Sequence, residues 1–154
     1  MEPESSAVVS KASVSELTET ISRKNPSTLS FELGKRNYYD NGAISKYLAY
    51  PHFQYVLFND SNGASRGLMK AHDFKSLHSI PGFNTAHEVE TGHITSNDKI
   101  VPAIREGASN KEALQLMDTE HTDTLNVVDA TGRHRGVVTR EGIVSKLMTK
   151  MLTG

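Results

Sequence analysis

The chain of 154 residues contains no cysteine and no tryptophan. Without cysteine it can form no disulfide, hold no thiolate zinc site and perform no thiol chemistry. No apolar run approaches the roughly 18 residues of a membrane-spanning helix, so membrane insertion is not expected. The acidic, serine-rich start from Met1 to Ser6 has no signal-peptide pattern, and the expected location is cytoplasmic. Neither sign of charge prevails, since 17 lysines and arginines against 18 acids leave a net −1. With no stripe of basic and aromatic residues, nucleic acid is not an expected partner. A Walker-type phosphate loop, a serine–histidine–acid arrangement and paired carboxylates in an apolar setting are all missing, which argues against an enzyme. Seven histidines are present, but none in a His-x-His or His-Glu-x-x-His spacing, and His87 and His93 have only Glu88 and Glu90 nearby; no metal site is expected.

What the chain does contain is a repeat. Tyr55 to Met69 lies over Thr124 to Val138 at a constant spacing. Asp60 falls on Asp129, Gly63 on Gly132, Arg66 on Arg135 and Gly67 on Gly136, each pair 69 apart. The preceding helices correspond at a spacing of 70, Ala43-Ile44 over Ala113-Leu114, which requires one inserted or lost residue. Two copies are too few for a solenoid, which needs about three repeats. At roughly 60 residues each copy would be marginal alone. The two copies are therefore expected to share a core as a pseudo-symmetric pair.

Residues 1–12 read as a mobile tail, and residues 13–26 as a helix opened by the capping box Ser13/Glu16, with Val14, Leu17 and Ile21 on one face. Asn25-Pro26 stops it. The narrow stripe suits docking on the module or on a partner subunit. The first repeat is placed at residues 27–80. Leu29, Phe31 and Leu33 alternate as in a strand, and Asp40 caps a helix with Ala43, Ile44, Tyr47 and Leu48 inward until Tyr50-Pro51. Tyr55 to Phe58 forms a buried strand, Asp60-Ser61-Asn62-Gly63 a turn, Gly67 to Lys70 the return strand, and Ala71 to His78 the closing helix. Residues 81–98 are polar and are read as a linker, and the second repeat as residues 99–154, with a second capping box at Ser109 and Glu112. In the last helix Ile143, Val144, Leu147, Met148 and Met151 form the strongest amphipathic stripe of the chain, expected in the core or at a dimer interface.

The second repeat resembles the cystathionine-β-synthase (CBS) domain family in Glu112-Ala113-Leu114, Val127-Val128-Asp129, Gly132 and Gly136-Val137-Val138-Thr139. Together the copies look like a tandem CBS pair, or Bateman module, over residues 27–153; the first repeat is the more divergent. The resemblance implies an α/β (α+β) fold of two β-α-β-β-α repeats packed as a pseudo-twofold pair, with the N-terminal helix as an extra element. It further implies clefts between the repeats that take adenosine-containing ligands, and frequent dimerisation. No cofactor is required; AMP, ADP, ATP or S-adenosylmethionine would be a regulatory ligand.

The family's ligand motif is Gly-x-x-Thr-x-x-Asp, running from the last strand into the last helix. A hydroxyl and free amides at a helix start suit a phosphate, and a carboxylate one turn in can accept hydrogen bonds from ribose hydroxyls. The first repeat reads Gly67-Leu68-Met69-Lys70-Ala71-His72-Asp73, which keeps the carboxylate as Asp73 and puts Lys70 at the threonine position. An ammonium can meet a phosphate directly. The second reads Gly136-Val137-Val138-Thr139-Arg140-Glu141-Gly142, which keeps Thr139 but places Gly142 where the carboxylate belongs. The second site is thus expected to bind more weakly, and one site or none to be occupied. Each residue also has a plain reading. Asp73 suits any first helical turn, Lys70 a solvated strand end, and Thr139 an ordinary N-cap. Arg133, His134, Arg135 and Arg140 are basic residues that could meet a polyphosphate from the rim, and His72 beside Asp73 would make binding pH-sensitive.

The expectation is a non-catalytic sensor module, a homodimer that relays adenine-nucleotide occupancy to a regulated enzyme or transporter. The alternatives are a CBS pair without ligand that serves as a dimerisation or docking platform, and the excised cytosolic regulatory part of a transporter or enzyme.

Overall fold

The computed structural model describes residues 28–34, 40–49 and 51–153. The expected tail and helix within residues 1–26 and the side chain of Tyr47 lie outside the described residues. The chain divides after Val101 into two compact units, each built on its own three-stranded sheet.

In the first unit β1 (Thr28–Glu32) pairs parallel with β2 (Tyr55–Asn59), and β2 pairs antiparallel with β3 (Ser65–Lys70). The parallel step requires a crossover, supplied by α1 (Asn41–Leu48), and α2 (Ala71–His78) follows β3 directly. Asp40 caps α1 as expected, its Oδ1 accepting from Ala43 N–H at 2.7 Å. Asp60 Oδ1 accepts from the N–H groups of Asn62 and Ala64, both at 2.9 Å, and Gly63 takes the left-handed conformation that closes the turn (φ +83°). Phe58 then faces Gly67 and Asn59 faces Ser65, so Arg66 is the extra residue of a bulge.

The core of this unit is aromatic. Phe31, Phe58 and Phe74 form a triangle with ring centroids 6.0–6.3 Å apart, surrounded by Ile44, Val56 and Met69. Residues 81–98, read from sequence as a polar linker, are instead part of this core. They form α3 (Thr85–Thr91) and a 3₁₀ turn (His93–Ser96), and bury Thr85, Val89 and Ile94. Asn84 caps α3 through its side chain, and Gly92 ends it in the left-handed conformation (φ +77°). Only two large apolar residues are needed because the segment covers an edge and does not span the core.

The second unit repeats the plan. β4 (Ala103–Arg105) pairs parallel with β5 (Thr124–Val128), which pairs antiparallel with β6 (His134–Thr139). α4 (Asn110–Glu120) crosses over and α5 (Arg140–Thr153) closes. Ser109 accepts from Glu112 N–H at 3.1 Å, as the capping box requires. Val127 faces Gly136 and Val128 faces His134, leaving Arg135 as the bulge residue, 69 after Arg66. Asp129 receives Thr131 N–H, Arg133 N–H and the Thr131 hydroxyl; the hydroxyl bond is the chief cause that holds its carboxyl below the ordinary range.

The second core is wholly aliphatic: Ile104, Ala113, Met117, Leu125, Val127, Val138 and Ile143. Of the α5 stripe expected in the core or at a dimer interface, Ile143 is buried and Leu147 half-buried in the single chain, whereas Val144 (41% exposed), Met148 (57%) and Met151 (54%) face outward. A sequence stripe is set by helical spacing, whereas burial needs a partner surface, and α5 runs on past the core it closes.

Asn110, 5% exposed at the first position of α4, has its Oδ1 buried without a hydrogen bond. A buried unpaired amide costs about 1–3 kcal/mol. Asn110→Leu, of similar volume and apolar, should raise the unfolding free energy by about 1–2 kcal/mol in urea denaturation. An unchanged or lowered stability would contradict this.

Candidate functional site

Both closing helices start the same way. Ala71 N–H donates to Gln54 C=O at 2.8 Å, and 69 residues later Arg140 N–H donates to Asp123 C=O at 2.8 Å. Each bond joins the first residue of the helix to the residue before the central strand. The backbone of the two junctions is therefore equivalent, and the side chains decide what each can do.

The second junction closes itself. Thr139 Oγ1 accepts from Gly142 N–H at 3.0 Å, which satisfies one of the helix-start donors. The Arg140 guanidinium is turned to Asp118 near the C-terminal end of α4, where the two form an exposed ion pair. Thr124 Oγ1 bonds Asp123 Oδ1 at 2.9 Å, and Thr124 is buried. Gly142, at the position equivalent in the motif to Asp73, carries no carboxylate, and the acid of this first turn is Glu141, one residue earlier. Thr139 and Arg140, both sequence candidates, are thus committed to the fold.

The first junction is different. Lys70 occupies the N-cap position in extended conformation (φ −68°, ψ 142°) and gives no side-chain cap to the helix. Asp73 stands in the first turn, half-buried, and His72 beside it is exposed. These three candidates are brought together on one short stretch of backbone. α2 thus begins with a cation at its cap, donors not closed by a side chain, and an acid one turn in. That combination suits a ligand with both a phosphate and adjacent hydroxyls.

Arg135 and Thr139 lie apart on the same strand. Arg135 sits at the hairpin end of β6, four residues and roughly 13 Å along the strand from Thr139. There it pairs with Glu106 at 3.4 Å, with Arg135 60% and Glu106 40% exposed. Among the described residues no three histidines, aspartates or glutamates are grouped so as to hold a metal ion.

Two polar constellations escape the sequence pattern. His78 Nε2 lies 2.8 Å from Ser45 Oγ, and His78 Nδ1 lies 2.8 Å from Thr85 Oγ1, so the ring ties α1, α2 and α3 together. The likeness to a catalytic triad is superficial. Ser45 donates its hydroxyl hydrogen to Asn41 C=O, and the third member is a buried threonine, not a carboxylate. In the second unit, Asn126 (1% exposed) and His134 meet at 2.6 Å between Oδ1 and Nδ1. The one signal for that pair was an asparagine interrupting the apolar run Leu125-Asn126-Val127-Val128.

No family model and no curated protein sequence matches the chain. Solved structures do. The CBS domain of a bacterial CNNM/CorC-family Mg2+ transporter, solved with ATP, superposes with a TM-score of 0.60 at 12% identity, covering 94% of this chain and 93% of that one. A CBS-domain pair from Klebsiella pneumoniae with bound AMP gives 0.57 at 15% identity, with 90% and 99% covered. The CBS pair of protein MJ0100, in complex with 5′-methylthioadenosine and S-adenosyl-L-methionine, gives 0.57 at 16%, with 90% and 98% covered. At such identities the likeness is one of fold, and it agrees with the two β-α-β-β-α repeats described above.

The cap at Thr139 is directly testable. Thr139→Ala should lower the unfolding free energy by about 1 kcal/mol, the usual worth of an N-cap hydroxyl, in urea or thermal denaturation. No measurable loss would mean that α5 is not closed by this residue.

Proposed function

We propose that this chain, which has the fold of a tandem CBS pair, is a non-catalytic regulatory module whose first repeat binds an adenosine ligand at the β3–α2 junction. The observation that carries the reading is the contrast between the two helix starts. The second is capped by its own Thr139, whereas the first has Lys70 at its cap without a side-chain bond to the helix and Asp73 in its first turn.

In this reading the Asp73 carboxylate accepts hydrogen bonds from the two ribose hydroxyls. Lys70 meets a phosphate, which the helix start also favours through its dipole and open donors. His72 flanks the same phosphate. Gly142 leaves the second junction without a ribose partner, so one ligand binds per chain. AMP, ATP and S-adenosylmethionine, each bound in one of the similar structures, lend chemical support. Occupancy acts by shifting a conformational population, and the reader of that shift is a second copy of the chain or a regulated enzyme or transporter in the cytoplasm.

Calorimetry with AMP, ADP, ATP, S-adenosylmethionine and adenosine tests this. Asp73→Ala should weaken the best ligand at least about tenfold, the worth of one charged hydrogen bond. Lys70→Ala should weaken AMP and ATP while leaving adenosine nearly unchanged, and Thr139→Ala should change no affinity. Flat titrations with every ligand would instead favour the platform reading, to which the departures at Lys70 and Gly142 also point.

A further inference from the structure

Two Asn-Gly pairs occur in the sequence, Asn41-Gly42 and Asn62-Gly63. Asparagine is among the thermally labile residues, and a following glycine has no side chain to shield its nitrogen from the amide carbon. The fold treats the two pairs differently. Asn62-Gly63 lies at the tip of the β2–β3 hairpin, where Ser61, Asn62 and Gly63 are all exposed. There the Gly63 N–H donates to Asp60 C=O at 3.1 Å, a single turn bond at the surface. Asn41-Gly42 instead opens α1. Its Asn41 amide is engaged at both ends, Oδ1 accepting from Ala86 N–H at 3.2 Å and Nδ2 donating to Asn84 Oδ1 at 3.4 Å. The Asn41 C=O also accepts from the Ser45 hydroxyl at 3.0 Å. Ring closure at Asn41 would require the first turn of α1 to unwind and its tie to α3 to break.

The second repeat supplies a built-in comparison. Thr131-Gly132 falls on Asn62-Gly63, 69 residues later. Gly132 has φ +84° where Gly63 has +83°, and its N–H donates to Asp129 C=O at 3.0 Å. The two turns share one backbone, but threonine offers no amide carbon to attack.

We propose that Asn62 is a site of spontaneous deamidation, which ages the first repeat and spares the second. The Gly63 nitrogen attacks Asn62 Cγ. A N–Cγ bond forms, the Cγ–Nδ2 bond breaks, and Nδ2 leaves as ammonia with the proton that Gly63 gives up through solvent. Water then opens the five-membered imide at either carbonyl. Attack at Cγ gives aspartate, and attack at the backbone carbonyl gives isoaspartate, whose chain is longer by one methylene. Either product sets a new carboxylate beside Asp60. The isoaspartyl backbone also displaces Gly63 N–H from Asp60 C=O and so loosens the turn that Asp60 N–H closes on Ala64 C=O at 2.9 Å.

Peptide mapping by mass spectrometry of the full chain, aged at mildly alkaline pH with and without guanidinium chloride, decides the matter. In the native protein the peptide holding Asn62 should give separate aspartate and isoaspartate products, each heavier by the exchange of ammonia for water. Their rate should lie within about tenfold of the unfolded chain, since one turn hydrogen bond retards them. Asn41 should react freely in guanidinium chloride and at least about a hundredfold more slowly in the native protein, where several bonds must open together. Asn62→Thr, which copies the second repeat, should abolish the native product and leave the reaction of Asn41 in denaturant unchanged. In the aged native protein the amides of Asn62 to Ala64 should exchange at least about tenfold faster, with those of Thr131 to Arg133 unchanged. An intact Asn62 in the native chain, native reaction of Asn41 as fast as that of Asn62, or unaltered exchange at the turn after conversion would each overturn the proposal.

Discussion

In each repeat one backbone hydrogen bond fixes where the closing helix begins. Ala71 N–H to Gln54 C=O and Arg140 N–H to Asp123 C=O pin the helix start beside the central strand. From that point 3.6-residue periodicity carries Phe74 or Ile143 into the core and leaves the first-turn side chains at the rim. Because the bond is made by backbone, the side chains at the junction are under no obligation to the fold. The second junction is closed by a threonine and the first is not, the difference on which the proposed ligand site rests.

The consequence is a division between the copies. The first repeat packs phenylalanines at 31, 58 and 74, and is sealed by α3 and the His78 bridge to Ser45 and Thr85. A rigid core under an open helix start is what a binding site requires, since a ligand then meets groups already in place. The second repeat spends its polar residues internally, on the Thr139 cap, the Arg140–Asp118 pair and the buried Asn126–His134 contact. Its helix start offers a ligand little that is not already engaged.

Much of this was legible in the residues alone. The spacing of 69 aligned both turns, and the structure shows that the aligned Arg66 and Arg135 are the bulge residues of their hairpins. Asp40 and Ser109 were readable as caps because a cap is a local event, satisfied within three residues. The failures share a cause, which is that packing is not local. Val89 and Ile94 looked too sparse for a core because the phenylalanines they cover come from elsewhere in the chain. Val144 and Met148, expected in the core or at a dimer interface, are exposed in the single chain, because helical spacing reports a face and not what meets it. The Ser45–His78–Thr85 bridge joins residues too distant for any local pattern to pair.

The account's central claim is that the two equivalent junctions differ in function. The most direct measurement is a two-dimensional 15N–1H NMR titration of the chain with AMP. The amides of Lys70 to Phe74 should shift progressively while those of Arg140 to Ile143 stay in place. Shifts confined to Arg140–Ile143, or none at either helix start, would contradict it.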